Sequence, residues 1–208
     1  MGTKKFLWSL DISTTNIGCA LWNLNGDLVE LKHLELKADD VPPENRDIHK
    51  GEIFKKYMQS YKDKVKEEFG GVIDFIVVEE PLGGSVNQNT VSLLFGFNGI
   101  CRYNLYEVFN KYPIKISVYE SRKAFCPELV RIKKEKGKPK EVLTFPKGYD
   151  KKMKKHYIWE KVEKLEPNVE WFYNKMGKNV GKLHDKSYDM SDAYCVGKAA
   201  FKLLDIDK

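Results

Sequence analysis

The sequence does not begin with the long apolar run of a membrane span or a secretory leader. Its first residues, MGTKKFLWSLDI, contain an apolar stretch of strand length only. The Met-Gly start is followed by Phe6, where N-myristoylation requires Ser or Thr. We therefore expect a soluble intracellular protein, in the cytoplasm of a cell or of a virus-infected host, with no membrane partner.

Cysteine is scarce and scattered. The four cysteines are far apart in the sequence, and none forms a CxxC pair: Cys19, Cys101, Cys126 and Cys195. This spacing argues against a cysteine-based zinc site and against a disulfide framework. We interpret the cysteines as small apolar residues in a reducing compartment.

Acidic residues are outnumbered by basic ones. There are 30 Asp and Glu against 36 Lys and Arg, which gives a net charge of +6 and a mild indication of a polyanionic partner. The 12% aromatic content argues against a disordered chain. A length of 208 residues fits one α/β domain, and we predict a single domain over 1–208.

The hydrophobic pattern predicts strands that are followed by helix-linked strands. Three strand-like runs come first, and then a helix, a strand, a helix, a short strand and further helices. The segments are 6–12, 19–24, 28–36, 48–69, 72–80, 90–110, 114–119, a helix from about 149, and 187–204, with a loop over 131–141. This order predicts an α/β fold in which helices flank a mixed five-stranded sheet on both faces.

Carboxylates stand at the ends of two predicted strands. Asp11 ends the run FLWSLDI, and Glu79 and Glu80 end the run VIDFIVVEE. An acid within an apolar run is costly unless it is paired or binds a metal. Alternatively, Asp11 caps the turn that follows it, and the two glutamates are simply solvated. Because both faces of the second run look buried, periodicity does not choose between Glu79 and Glu80.

Two further acids lie on the last predicted helix. Asp189 and Asp192 are three residues apart and therefore share a helix face, which Asp185 can join. Acids in a first helical turn are also favoured by the helix dipole, which explains Asp189 well and Asp192 less well. Hard oxygen ligands of this kind suit Mg²⁺ or Mn²⁺, and two such ions about 3.5–4 Å apart would promote phosphodiester hydrolysis.

Three segments resemble the motifs of the RuvC family of Holliday junction resolvases. These are FLWSLDISTTNIGCALW, IVVEEPLGG and DMSDAY, in the family's order and over nearly the whole chain. The resemblance implies an RNase H-like nuclease domain whose catalytic, metal-binding acids are Asp11, Glu79, Asp189 and Asp192. It favours Glu79 over Glu80, because the family's glutamate directly follows the apolar run.

The same resemblance implies an activity and an assembly. The protein would be a homodimeric, Mg²⁺- or Mn²⁺-dependent endodeoxyribonuclease with two ions per site, which cuts four-way junctions by paired nicks. LLFGFNGICRYNL resembles the family's helix at the dimer interface, and Lys123 in SRKAFCPEL is the candidate for a lysine that approaches the cleaved DNA. The chain departs from the bacterial pattern at Leu82, which stands where an aromatic wedge is common, and in a longer basic insert.

Basic residues are densest between the second and third acidic motifs. We predict that they bind DNA, although lysine runs are more often solvated surface. The candidates are Arg131, Lys133, Lys134, Lys151, Lys152, Lys154 and Lys155. His184 and His156 are candidates to assist a nucleophilic water, although a lone histidine is more often structural.

Other functions remain open on the sequence. DISTTNIG also resembles the phosphate-binding hairpin of sugar kinases and actin-like proteins, although those enzymes close two such domains around ATP. A non-catalytic DNA-binding module and a nuclease for RNA–DNA hybrids are further alternatives. The nuclease interpretation predicts no nucleotide cofactor.

Overall fold

Five strands form one mixed sheet, which confirms the predicted α/β class. The protein is described by a computed structural model over residues 2–81, 88–135, 138–150, 153–204 and 206. The sheet order is β3-β2-β1-β4-β5; β1, β2 and β3 are antiparallel neighbours, and β4 and β5 run parallel to β1. The strands are β1 (Lys4–Ile12), β2 (Asn16–Asn23), β3 (Leu28–Glu35), β4 (Gly71–Glu80) and β5 (Ile114–Ser117).

Helices cover both faces of this sheet. The first two pack on one face and the last three on the other. They are α1 (Arg46–Phe69), α2 (Gln88–Phe109), α3 (Val118–Phe125), α4 (Met153–Leu165) and α5 (Asp185–Leu203). In the parts of the chain that the structure describes, no helix has the length and apolar character needed to span a membrane.

Strand alternation sends neighbouring residues to opposite cores. In β1, Trp8 and Leu10 pack against α1 and α2, whereas Leu7 packs on the opposite face, among residues of α3, α4 and α5. Asp11 has the same parity as Leu7 and therefore lies on the α5 side. In β4, the same rule places Glu79 with Val77 on that side.

Helix α5 lies unusually close to the sheet. The Ser9 hydroxyl donates a hydrogen bond to the Ala193 carbonyl oxygen at 2.8 Å and accepts one from the Trp22 indole N–H at 2.9 Å. A Cβ added to Gly18 would meet the Asp189 carbonyl oxygen at 2.0 Å. Because Gly18 has no side chain, the backbone of α5 can touch β2 at this point. Gly18 pairs with Asp11 of β1, so the contact lies directly beside Asp11.

Two segments differ from the sequence prediction. The predicted loop over 131–141 contains an antiparallel hairpin, formed by β6 (Val130–Glu135) and β7 (Lys138–Leu143). The predicted strand 114–119 ends at Ser117, where a capping box with Glu120 begins α3. The Ser-x-x-Glu spacing was a readable signal for that helix, because each side chain satisfies the backbone N–H of the other.

We predict that Gly18→Ala destabilises the protein by about 3 kcal/mol, because the methyl group would have to push the backbone of α5 off the sheet. A suitable control is Gly99→Ala, since an added Cβ there meets nothing within 4 Å and alanine is the better helix former. Urea unfolding compares the two. Equal stability of Gly18→Ala and the wild type would contradict the close contact.

Candidate metal centre

Three carboxylates from three elements meet at one end of the sheet. Asp11 of β1, Glu79 of β4 and Asp192 of α5 each place an oxygen within 4.8 Å of the other two. The parallel pairing of β1 with β4 explains why Asp11 and Glu79 are close. Ser9 lies beside Val77, and two residues further along each strand the same face carries Asp11 and Glu79. Asp192 is added because α5 packs directly on these strands.

Glu80 borders the same cavity as Asp11 and Glu79, but its carboxylate is not part of the cluster. Its carboxylate accepts a hydrogen bond from Lys115 of β5 at 2.7 Å and is 40% exposed. The side chains of Glu79 and Glu80 therefore lie on opposite faces of the sheet, as expected for neighbouring residues of a strand. Of these two glutamates, the structure brings Glu79 to Asp11 and Asp192.

Asp189 lies at the edge of the cluster. It lines the same cavity of about 190 Å³ as Asp11 and Glu79. It is three residues before Asp192 on α5, so both project from one face of the helix. The structure thus brings together all four predicted metal-binding acids, with Asp189 outside the compact group of three.

Two cations are built into this site. The Arg122 guanidinium lies 3.4 Å from Oδ1 of Asp192, and the Lys155 ammonium lies 2.8 Å from its Oδ2 and 3.6 Å from Oδ1 of Asp189. Burial opposes the charge on Lys155, but the carboxylates of Asp192, Asp11 and Asp189 raise its pKa overall. Lys155, predicted as a DNA contact, therefore forms ion pairs with the acids, while 42% of its side chain is exposed.

The carboxylates are hard to ionise together. Burial, reinforced by the charge of Asp192 and opposed by Lys155, raises the pKa of Asp11 to about 6. Burial and the charge of Asp11 raise the pKa of Asp189 to about 7. Burial and the neighbouring acids also raise the pKa of Glu79 well above its ordinary value. Burial is the largest cause for all three groups, and repulsion from neighbouring carboxylates adds to it.

The donor set fits Mg²⁺ or Mn²⁺. Asp11, Glu79 and Asp192 supply only carboxylate oxygens, and the cavity beside them has room for water and phosphate oxygens that such ions retain. A divalent cation would also relieve the repulsion that raises the pKa values. These residues would therefore hold the metal that the motif resemblance implies.

Lys123 does not reach the acids. Its ammonium pairs with Glu141 of the hairpin, whereas the preceding residue, Arg122, faces Asp192. The reason is helical geometry, since Arg122 is four residues after buried Val118 and shares its face. Arg122 is not identified from the sequence, because the orientation of its side chain depends on α3, which the hydrophobic pattern does not predict.

The predicted DNA-binding residues occupy different places. Arg131, Lys133 and Lys134 lie on the exposed strand β6, and Lys154 lies over the ring of Phe145 at 5.6 Å. Lys151 and Lys152, and the proposed wedge position Leu82, lie outside the described residues.

The two candidate histidines have structural partners. His184 is the N-cap of α5, where its side chain accepts a hydrogen bond from the Lys186 N–H at 3.2 Å. The ring of His156 contacts the Tyr188 hydroxyl at 3.2 Å and Glu160 at 3.3 Å. Asp185 lies in the first turn of α5, where the helix dipole favours an acid.

Comparison with known proteins identifies the fold. No protein-family model matches the sequence, and no curated protein sequence matches it. Thermus thermophilus RuvC, solved in complex with a Holliday junction substrate, is similar over 95% of this chain and 92% of that chain, with 9% identity and a TM-score of 0.53. This chain therefore has the RuvC-type, RNase H-like fold that its motifs indicated.

Two weaker similarities accompany this one. A second structure of Thermus thermophilus RuvC matches over 94% of this chain and 93% of that chain, at 12% identity and a TM-score of 0.49. The yeast mitochondrial Holliday junction resolvase Ydc2 matches over 96% and 78%, at 12% identity and a TM-score of 0.48.

We predict that the metal-free protein loses stability as the pH rises from about 4 to about 8. Because the pKa values of Asp11 (about 6) and Asp189 (about 7) exceed their ordinary 3.8, the folded protein retains protons that the unfolded chain has lost, and removing them costs stability. The shift at Asp11 alone corresponds to about 3 kcal/mol. Urea unfolding in EDTA across this range measures the effect.

Asp11→Asn should flatten this pH dependence and be more stable than the wild type in EDTA at about pH 8, while Glu80→Gln keeps the wild-type profile. Mg²⁺ should restore stability to the wild type at high pH, because it neutralises the ionised acids. Parallel profiles for the wild type and Asp11→Asn would contradict the burial and repulsion described above.

Proposed function

We propose that this protein is a divalent-metal-dependent endonuclease that resolves Holliday junctions and related branched DNA. The observation that carries the proposal is the group Asp11, Glu79 and Asp192, brought within 4.8 Å by two strands and a helix of a RuvC-type fold. Such a group has little structural value, because each carboxylate is costly to bury beside the others.

The residues of the site divide the chemical work. A bound divalent ion would supply an activated water and stabilise the departing 3′ oxygen during phosphodiester hydrolysis. Asp11, Glu79 and Asp192 would hold it, with Mg²⁺ or Mn²⁺ as the ion. Arg122 fixes the orientation of Asp192 through its contact at 3.4 Å, and its charge opposes part of the rise in the pKa of Glu79 and Asp11.

A homodimer is part of the proposal. Paired nicks across a two-fold symmetric junction require two sites that are related by a two-fold axis. Helix α2, whose sequence resembles the family's dimer helix, carries apolar surface, because Leu93, Phe95 and Tyr103 are 56%, 45% and 61% exposed. Burial of this surface against a second copy would place one site on each side of the junction.

The hairpin of β6 and β7 is the proposed contact to a DNA arm. Lys133 pairs directly with Lys140 across the two strands, and Arg131 and Lys138 lie on the same face. Glu135 also lies on this face and forms an ion pair with Lys140, which offsets part of the positive charge. Two lysines opposite each other destabilise a hairpin in isolation. A polyanion bound on this face would remove the repulsion. Lys134 lies on the opposite face, with Glu141.

The direct test is cleavage of a labelled four-way junction, beside a linear duplex and an RNA–DNA hybrid, with Mg²⁺ and with EDTA. We predict paired nicks in the junction that require the metal. Asp11→Asn should reduce cleavage by about 10³-fold or more, since it removes a metal ligand, while it leaves junction affinity intact. Glu80→Gln, which removes the adjacent acid on the other face, should cleave like the wild type.

Each alternative has its own outcome in this test. Cleavage of the hybrid alone would retain the site and change the substrate. Tight junction binding in EDTA with no cleavage under any condition would favour a non-catalytic binding module. ATP binding without junction binding would favour a phosphotransferase.

Loss of single hairpin charges should change the salt dependence of junction binding. Lys133→Gln and Lys140→Gln should each reduce the slope of log affinity against log salt by about one, because each phosphate contact releases about one counterion. Lys134→Gln is the matched control on the opposite face and should leave the slope unchanged. Fluorescence anisotropy at several salt concentrations measures this, and equal slopes for all three variants would assign the hairpin to solvated surface.

A further inference from the structure

Lys155 holds a position that a metal ion could otherwise take. Its ammonium lies between two carboxylates three residues apart on α5, at 2.8 Å from Asp192 and 3.6 Å from Asp189. The two acids were both predicted as metal ligands. A cation that bridges them must compete with this ammonium for the same oxygens.

The four acids therefore separate into two groups. Asp11, Glu79 and Asp192 form a compact set with oxygens within 4.8 Å of one another, and among the residues described, Asp189 is not part of that set. Within the described parts of the chain, the ion-pair partner of Asp189 is Lys155. Asp192 belongs both to the compact set and to the pair of aspartates beside Lys155, which contacts its Oδ2. Arg122 contacts its other oxygen, Oδ1.

We propose that the Lys155 ammonium fills the second cation position of this site, so that each subunit binds one divalent ion rather than two. This inference rests on the proposed metal site. It replaces the expectation of two ions, which came from the acids and the family resemblance alone.

The charge balance supports one ion. Four ionised carboxylates with Arg122 and Lys155 leave a formal charge of −2 in the site, which a single divalent ion neutralises. A second divalent ion would make the site positive unless Lys155 left it. Such a cost is large beside Asp192, whose side chain is only 2% exposed, since charges there are poorly screened.

The backbone of Lys155 is fixed beside the acids, although 42% of its side chain is exposed. It lies on α4, whose buried residues Ile158 and Val162 pack in the core beneath α5, so its backbone is anchored on the side of the acids. An ammonium has three donors, and the structure shows Lys155 as an ion-pair partner of the two aspartates, 2.8 Å from Asp192 and 3.6 Å from Asp189. The exposed part of the Lys155 side chain can face a phosphate oxygen of the substrate, so Lys155 would serve as a positioning cation beside the single metal.

The test counts bound Mn²⁺ per subunit in the full-length protein without DNA, from the electron paramagnetic resonance signal of free Mn²⁺ during a titration. We expect one ion for the wild type and two for Lys155→Gln, in which Asp189 and Asp192 are released to bind the second. Two neighbouring Mn²⁺ ions also give a spin-coupled spectrum, which should appear only in Lys155→Gln. Lys155→Arg keeps the charge and should bind one ion.

Lys154→Gln is the matched control, because it removes a neighbouring charge that lies over Phe145 and should bind one ion. Two ions in the wild type would overturn the inference and leave the metal site standing; this count decides the matter even if Lys155→Gln does not fold. One ion in a folded Lys155→Gln would also overturn it. Equal Mn²⁺ binding by Asp11→Asn and the wild type would instead refute the metal site itself.

Discussion

The rest of this structure depends on the repulsion between carboxylates that are buried together at one end of the sheet. Asp11, Glu79 and Asp192 come from elements far apart in the sequence, and the fold holds them closer than ionised acids would stay by themselves. Arg122 and Lys155 offset part of that repulsion, and a divalent ion would offset the rest. The cost of the arrangement is the strongest indication that it has a chemical purpose.

Close packing makes the cluster possible. Helix α5 touches β2 at Gly18 and is bonded to β1 through Ser9, so the main chain that carries Asp189 and Asp192 is fixed against the strand that carries Asp11. The acids therefore cannot relax apart by a small movement of the helix. A site held in this way is preorganised for a cation. The packing of α5 on β1 and β2 offsets the repulsion between the acids.

The acids were predictable from the sequence, because each stands at the exit of an apolar run or on one face of a helix. The alternation of side chains along β4 also distinguishes Glu79 from Glu80. This distinction identifies the metal-binding glutamate only when it is known which helices cover each face of the sheet. The two cations of the site were harder to predict from the sequence. Arg122 depends on the short helix α3, and Lys155 reaches Asp192 across a separation of 37 residues that no local pattern encodes.

The hairpin shows the opposite limitation. Its sequence, RIKKEKGKPKE, is rich in lysine and poor in the apolar alternation that marks a strand, so it predicts a loop. The structure pairs Val130 with Leu143 at the base, and the hairpin is anchored there and through the contact of Glu141 with Lys123. The lysine-rich composition of the hairpin indicates that it is exposed on the surface, but it does not indicate the β conformation of its backbone.

The most direct test of the central claim is to locate Mn²⁺ in crystals of the protein by its anomalous scattering. The account predicts a strong peak within about 2.5 Å of carboxylate oxygens from Asp11, Glu79 and Asp192. A structure saturated with Mn²⁺ that shows no peak at these three residues, or a peak only at other surface acids, would contradict it.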